Sequence, residues 1–229
     1  MKIVPVDPEI RARPSFQALR RAWPEIVFHD AISNANWGRL YGERPEFQFA
    51  LVEDGEVRAE GNSIPVTGMP ETWREALGTG FDAAKPDRLC ALAILVDPDH
   101  QRRGLSRLML EHMRGLGRER GWELVAPVRP SLKHLYPLTP IERYAEWRRE
   151  DGLPYDPWLR THERVGAEIL DPAPRSMTIT GSRKQWEEWT GLQFPEDGDY
   201  VVPGALVPVC FENGQGTYVE PNVWMRHPL

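Results

Sequence analysis

A long apolar run near the middle of the chain is followed by an amphipathic segment. Residues 89–96 (LCALAILV) show no polar alternation, which is typical of a strand buried on both faces. Gly104 opens a segment in which apolar residues recur at helical spacing: Leu105, Leu108, Met109, Met113 and Leu116. Gly121 is a suitable residue to end this helix. The pattern therefore predicts a buried strand, a tight loop and an amphipathic helix.

Shorter apolar runs on either side predict further strands and helices. Before the central strand they predict a strand over residues 2–6, helices over 16–23 and 26–37, hairpin strands over 47–52 and 56–66, and a short helix over 69–76. After the central helix they predict strands over 123–128 and 175–180, helices over 140–150 and 184–190, and hairpin strands over 206–211 and 217–224. This mixture of elements indicates an α/β (α+β) protein.

Composition and charge exclude several classes of protein. The 229 residues suit one domain, and the net charge of −6 is spread along the chain, which argues against nucleic acid as a partner. No apolar run approaches the ~18 residues of a membrane span, so no membrane partner is expected. Only Cys90 and Cys210 are present, which fits a reducing cytoplasm. The six histidines lack zinc-ligand spacing, so we expect no metal.

The loop between the central strand and helix carries the candidate chemistry. A helix start leaves backbone N–H groups unpaired and adds the positive end of the helix dipole, so it attracts anions. Gly104 lets the backbone approach a phosphate, and Ser106 adds a hydroxyl donor. Arg102 and Arg103 supply positive charge. The loop predicts a diphosphate site that is neither a Walker loop, since no Gly-Lys-Ser/Thr follows, nor a Rossmann fingerprint, which needs more glycines.

The stretch VDPDHQRRGLS resembles motif A of the GNAT acyltransferase superfamily, in which Gln/Arg-x-x-Gly-x-Gly/Ala follows a strand. Gln101, Gly104 and Ser106 occupy the three motif positions, and Ser106 is a small replacement for the usual Gly or Ala. An ordinary turn between strand and helix, with incidental arginines, is the alternative interpretation. The segments DYVVPGALVPV and YVEPNVWMRHP also resemble GNAT-like domains that accompany nitrilase-type hydrolases in some bacteria.

The resemblance implies the GNAT fold: a central mixed, mostly antiparallel sheet with two splayed central strands, flanked by helices. The splayed strands would be residues 89–96 and 123–128, with the pantetheine of an acyl donor between them. Residues 129–156 would be an insertion over the acceptor pocket. Residues 181–229 would be a C-terminal extension made of a helix and a β-hairpin. We expect residues 1–229 to form a single domain.

The resemblance also implies a CoA-dependent N-acyltransferase. Its co-substrate would be acetyl-CoA or another acyl-CoA, and its acceptor the amine of a small metabolite or an intermediate of bacterial specialised metabolism. The expected donor-binding residues are Leu95, Val96, Gln101, Arg102, Arg103, Gly104, Leu105, Ser106 and Arg107.

Two residues are candidates for catalysis. The family commonly carries a tyrosine in a Tyr-x-x-Leu-Gly-Phe pattern that can protonate the leaving thiolate, and His162 occupies that position here. Histidine suits proton transfer near neutral pH, although a hydrogen-bonded histidine at a helix end is the alternative. Tyr136 is the second candidate. No sequence motif identifies a general base. The remaining candidates are His134, Tyr144 and Glu60, and a structural role is the alternative for each.

Two other functions are left open. The acyl donor could arrive on an acyl carrier protein, for transfer or for decarboxylation of a malonyl group, with arginines such as Arg102 and Arg118 docking the acidic carrier. The chain could also be an acyl-CoA binding module without catalytic activity. A homodimer is the remaining expectation for partners.

Overall fold

The computed structural model describes residues 1–229, and one mixed sheet of nine strands runs through it. The strands are β1 (Lys2–Pro5), β2 (Gln48–Glu53), β3 (Glu56–Val66), β4 (Arg88–Val96), β5 (Glu123–Val128), β6 (Glu168–Ser182), β7 (Gly198–Tyr200), β8 (Val209–Glu212) and β9 (Gln215–His227). Their order is β1-β2-β3-β4-β5-β9-β8-β7, and β6 pairs with the other edge of β9. Only β4 and β5 are parallel, so the predicted mixed, mostly antiparallel sheet is confirmed.

Helices cover both faces of the sheet. They are α1 (Pro8–Ala12), α2 (Pro14–Ala18), α3 (Ala31–Glu43), α4 (Trp73–Thr79), α5 (Leu105–Arg118), α6 (Ile141–Ala145), α7 (Pro157–Arg164) and α8 (Arg183–Thr190). Alternate residues of β4 point to opposite cores: Cys90 packs with α3 and α4, whereas Leu89 packs with α5. We call these two surfaces the α3 face and the α5 face. None of the helices is long and apolar enough to cross a membrane.

Four predicted helices differ from the observed ones. The one predicted over 16–23 is α2 followed by a 3-10 turn over Leu19–Ala22. In the other three, local hydrogen bonds set the ends. The helix predicted over 26–37 begins at Ala31, where the Asp30 carboxylate accepts from the Ser33 N–H at 2.7 Å. The helix predicted over 69–76 begins only at Trp73, after Thr72 as the capping residue. The helix predicted over 140–150 is limited to α6, because the chain turns back and the Tyr155 N–H bonds to the Trp147 carbonyl at 2.8 Å.

The C-terminal segment contributes its last strand to the central sheet. Its predicted helix and hairpin are present as α8 and as β8 and β9, joined by a turn at Asn213 and Gly214, both with positive φ. However, β9 extends to His227 and lies beside β5, where Leu124 pairs with His227 and Val128 with Val223. The predicted helix and hairpin are thus joined to the core through β9, a pairing that the hydrophobic pattern alone did not distinguish from an edge hairpin.

The predicted insertion, residues 129–156, is organised by one buried carboxylate. Asp156 accepts from the Leu132 N–H at 2.8 Å and from the Tyr144 hydroxyl at 2.9 Å. It also caps α7, because its other oxygen accepts from the Trp158 N–H at 2.9 Å and the Leu159 N–H at 3.2 Å. The insertion packs against β5 and β9 on the same face as α5 and α7.

We predict that Asp156→Ala destabilises the protein by about 3 kcal/mol, since a helix cap is lost and buried donors lose their acceptor. For a chain of this size the melting temperature should fall by about 6–12 °C, measured by calorimetry. Asp151→Ala is the matched control, because Asp151 is exposed and accepts only the Leu153 N–H. Equal melting temperatures for the two variants would contradict the role assigned to Asp156.

Candidate active site

The two central strands separate soon after they begin. Arg88 to Cys90 of β4 pair with Glu123 to Val125 of β5, and no pairing follows. Past this point β4 continues to Val96 with only β3 beside it, and β5 continues to Val128 beside β9. The predicted splay is therefore present, and it leaves a gap between the two strands that is bordered by unpaired backbone groups of β4.

A β-bulge marks the place where the gap opens. Ala91 and Ala93 pair with the successive residues Ser63 and Asn62, so Leu92 is an extra residue on β4. The indole N–H of Trp73, from α4, donates to the Leu92 carbonyl at 2.9 Å. A bulge bends the strand that carries it, and this contact fixes the bend. Sequence reasoning missed Trp73, since nothing in the pattern signals a bulge partner.

Beyond the bulge, the register determines which residues of β4 face the gap. The Asp97 N–H donates to the carbonyl of Arg58 in β3 at 2.9 Å, so the backbone N–H of Asp97 points towards β3. In antiparallel pairing, hydrogen-bonded pairs alternate with non-bonded ones. Val96 and Ile94 therefore present their N–H and C=O groups to the gap. Leu95 instead turns its backbone groups to Glu60 of β3.

The loop after β4 has a row of backbone donors with no acceptor. The N–H groups from Arg102 through Arg107 make no hydrogen bond within the protein, and no side chain caps α5. Arg102 and Gly104 have φ values of 63° and 77°, which turn successive N–H groups towards one side. The Gln101 and Ser106 side chains are also without hydrogen bonds within the protein. This loop has the donors and the helix dipole that an anionic group needs.

Most of the positive charge near the loop is paired. Arg103 forms two hydrogen bonds of 2.8 Å with Glu53, and Arg107 bonds to Glu111 at 2.9 Å. Arg102 has no carboxylate partner, so its guanidinium is available to a ligand.

His162 lies in a buried pair of imidazoles. Its Nδ1 lies 3.0 Å from Nε2 of His227, so one ring donates its N–H to the other, and its ring packs edge-on against Trp158. His162 is 2% exposed, and its Nε2 has no partner. Burial, with His227 beside it, lowers the pKa of His162 well below its usual range. This environment disfavours the imidazolium that a general acid would need, and the catalytic role of His162 stays a prediction.

Tyr136 belongs to an aromatic cluster of the insertion. Its hydroxyl lies 2.8 Å from that of Tyr155, a bond that raises the pKa of Tyr136, and its ring meets Trp147 edge-on at 4.9 Å. It makes no hydrogen bond or ring contact with His162. The catalytic role of Tyr136 also stays a prediction. The cluster lies on the α5 face.

Buried charge on the α3 face is mostly paired. Asp30 lies 3.2 Å from Arg74, and Glu220 lies 2.9 Å from Arg129. The structure contains no group of three or more histidine, cysteine or acidic side chains that could hold a metal ion.

Comparisons with known proteins agree with this geometry. No family model matches the chain. It is 33% identical over 248 aligned positions, which span 90% of this chain and 85% of the relative, to the arginine N-acetyltransferase avaD of Aspergillus versicolor. Among solved structures, it matches the loading GNATL domain of CurA from Lyngbya majuscula with a TM-score of 0.68, 20% identity and coverage of 100% and 98% of the two chains. It matches the GphF GNAT-like decarboxylase in complex with isobutyryl-CoA with a TM-score of 0.65, 20% identity and coverage of 100% and 99%. These two structural matches show a shared fold.

We predict that the histidine pair makes stability depend on pH. Burial and Arg114 lower the pKa of His227 to about 4, so the unfolded chain binds more protons than the folded one between about pH 4 and pH 6.5. The free energy of unfolding should fall by about 3 kcal/mol as the pH drops through this window. Melting curves of His227→Gln should show a shallower slope than the wild type, and His134→Gln should keep the wild-type slope. Identical slopes for His227→Gln and wild type would contradict this prediction.

We predict that Gly104→Glu prevents binding of acetyl-CoA, because it places an anionic side chain among the free N–H groups. Gly121→Glu is the matched control: it adds the same charge at a φ of 72°, also in open space, beyond the other end of α5. Calorimetric titration with acetyl-CoA should show binding to the control and none to Gly104→Glu. Equal affinities would show that the loop does not hold the donor.

Proposed function

The chain belongs to the GNAT N-acetyltransferase superfamily, and we propose that it transfers an acetyl group from acetyl-CoA to an amine of a small, basic metabolite. It is an acyltransferase of the GNAT type. The observation that carries the proposal is the succession of two features: the unpaired edge of β4 is followed, after a single turn at Pro98–His100, by the row of free N–H groups from Arg102 through Arg107.

The two features match the two polar parts of an acyl-CoA. The diphosphate suits the free N–H groups at the start of α5, where the helix dipole adds to the attraction. The pantetheine amides suit the backbone groups of Ile94 and Val96, which can pair with them as a neighbouring strand would. The Val96 N–H would then donate to the thioester oxygen and stabilise the negative charge that develops there. Holding the two reactants in line supplies much of the rate.

We place the acceptor on the α3 face. The α5 face beside the gap is occupied by α5, α7 and the insertion. An amine that approaches from the opposite side can reach the thioester carbon without displacing these elements. Under this proposal the aromatic cluster of the insertion lies on the opposite face from the acceptor, and whether the insertion covers the acceptor pocket stays a prediction.

The acceptor class follows from the relative. A protein that is 33% identical over most of both chains is named an arginine N-acetyltransferase, which supports a cationic amino acid or a related amine as the acceptor. The setting in bacterial specialised metabolism, the link to nitrilase-type hydrolases and a homodimer stay predictions.

The charges at the loop support free acyl-CoA as the donor better than an acyl group bound to a carrier protein. A carrier protein would need exposed, unpaired cations, whereas Arg103 and Arg107 are paired with Glu53 and Glu111. Arg118 lies in the last turn of α5, at the end away from the loop. Arg102 alone next to the free N–H groups suits a phosphate of free CoA better than a protein surface.

We predict that acetyl-CoA at about 100 times its dissociation constant stabilises the protein by roughly 2.7 kcal/mol, which raises the melting temperature by about 5–10 °C. Acetylated product should then form from arginine or a related amine, with release of free thiol, as followed by mass spectrometry. Turnover only with a carrier-loaded acyl group, or loss of carbon dioxide from a malonyl group, would replace the proposed reaction with the carrier-dependent one. Tight binding without transfer to any amine would indicate a binding module.

A further inference from the structure

One buried carboxylate on the α3 face differs from all the others. The five buried carboxylates are Asp30, Glu60, Asp97, Asp156 and Glu220. Asp30, Asp97 and Glu220 have arginine partners, and Asp156 accepts hydrogen bonds on both oxygens. Glu60 is 4% exposed and has no cationic side chain within ion-pair distance.

The two oxygens of Glu60 are not equivalent. Oε1 accepts the hydrogen bond of the Tyr41 hydroxyl, from α3, and that of the Asn62 side chain at 3.0 Å. Asn62 is itself held by Gln48, whose Oε1 accepts at 3.2 Å. Oε2 accepts no hydrogen bond from the protein. The carboxylate is thus fixed by one oxygen and has no hydrogen-bond partner at the other.

Glu60 is in β3, next to the part of β4 that borders the gap. It pairs with Leu95, whose neighbours Ile94 and Val96 face the gap. Adjacent strands are about 4.8 Å apart, so the Glu60 backbone is about that distance from the axis of β4. The side chain lies on the α3 face, where Tyr41 packs on the sheet and Arg11 of α1 lies 4.3 Å from the Tyr41 ring centre. A general base must reach its proton directly or through one water, and this placement allows the latter.

We propose that Glu60 is the general base that takes the proton from the acceptor amine on the α3 face. The inference rests on the proposed function. The ammonium form of the acceptor has no free electron pair, so it loses a proton to Glu60 Oε2, directly or through water. The amine nitrogen then forms a bond to the thioester carbon, the carbon–sulfur bond breaks, and its electron pair leaves on sulfur. The nitrogen loses its second proton and the thiolate gains one, so one proton per turnover passes to solvent.

The surroundings of Glu60 suit this role. Burial raises the pKa of Glu60 above its usual value, and the hydrogen bonds from Tyr41 and Asn62, together with the charge of Arg11, limit the rise. The charged and titratable groups that face it are Arg11 from α1 and Tyr41 from α3, while β4 contributes Leu95. A base whose pKa lies closer to neutrality accepts and releases protons more readily at physiological pH.

The test compares steady-state rates of purified, full-length variants across pH, with acetyl-CoA and the best amine found for the wild type. Glu60→Gln keeps the size of the side chain and an oxygen for Tyr41 and Asn62, and it should lower kcat about 100-fold or more. The shift in melting temperature caused by acetyl-CoA should not change. The residual rate should rise with pH as the free amine forms. Glu56→Gln, at the exposed start of the same strand, should retain the wild-type rate.

Tyr41→Phe supplies a readout that a purely structural role would not move. The Tyr41 hydroxyl lowers the pKa of Glu60, so its removal should shift the acid limb of the kcat profile to higher pH. A wild-type rate and pH profile for Glu60→Gln would overturn the role of Glu60 while leaving the transfer activity in place. Failure of the wild type to acetylate any amine, despite binding acetyl-CoA, would instead overturn the proposed function and this inference with it.

Discussion

The structure depends on the separation of β4 from β5. Two parallel strands with apolar sequences would ordinarily pair along their full length, but here the bulge at Leu92 bends β4 away after Cys90. Trp73 secures the bend through its bond to the Leu92 carbonyl. The unsatisfied backbone groups that result would be costly if buried without a partner. A site that offers them to an extended ligand converts this cost into affinity.

Charge is arranged differently on the two faces of the sheet. At the donor loop Arg103 and Arg107 are paired with glutamates, so the free backbone N–H groups and the unpaired Arg102 carry the attraction for an anion. On the α3 face the carboxylates are buried and paired, apart from Glu60. The carboxylate of Asp97, directly after β4, connects the two regions, since Arg21 donates to it and Nδ1 of His100 lies 2.9 Å from it. The donor and acceptor sides are thus held in a fixed relation across one strand.

The sequence was sufficient to predict the central unit and its fold. Local patterns marked the apolar run of β4, the loop around Gly104 and the helical spacing of α5. The same residues resemble a GNAT motif, and that resemblance implied the splayed strands. The sequence could not predict that β9 lies beside β5, because pairing between distant strands has no local signal. It also could not show that His162 meets His227, or that Glu60 has one free oxygen, since both depend on side chains brought together by the sheet.

The position of β9 has a consequence for how the chain folds. β5 pairs with β4 over only a few residues, so β9 supplies its principal partner, although about ninety residues separate the two strands in the sequence. Closing so long a loop is slow, because its entropy must be lost before the pairing compensates for it. Until β9 docks, β5 and β6 present open edges that favour association with other chains. The turn of the β8–β9 hairpin is local, so this hairpin can form before it docks, and docking then covers the edges of β5 and β6 in one step.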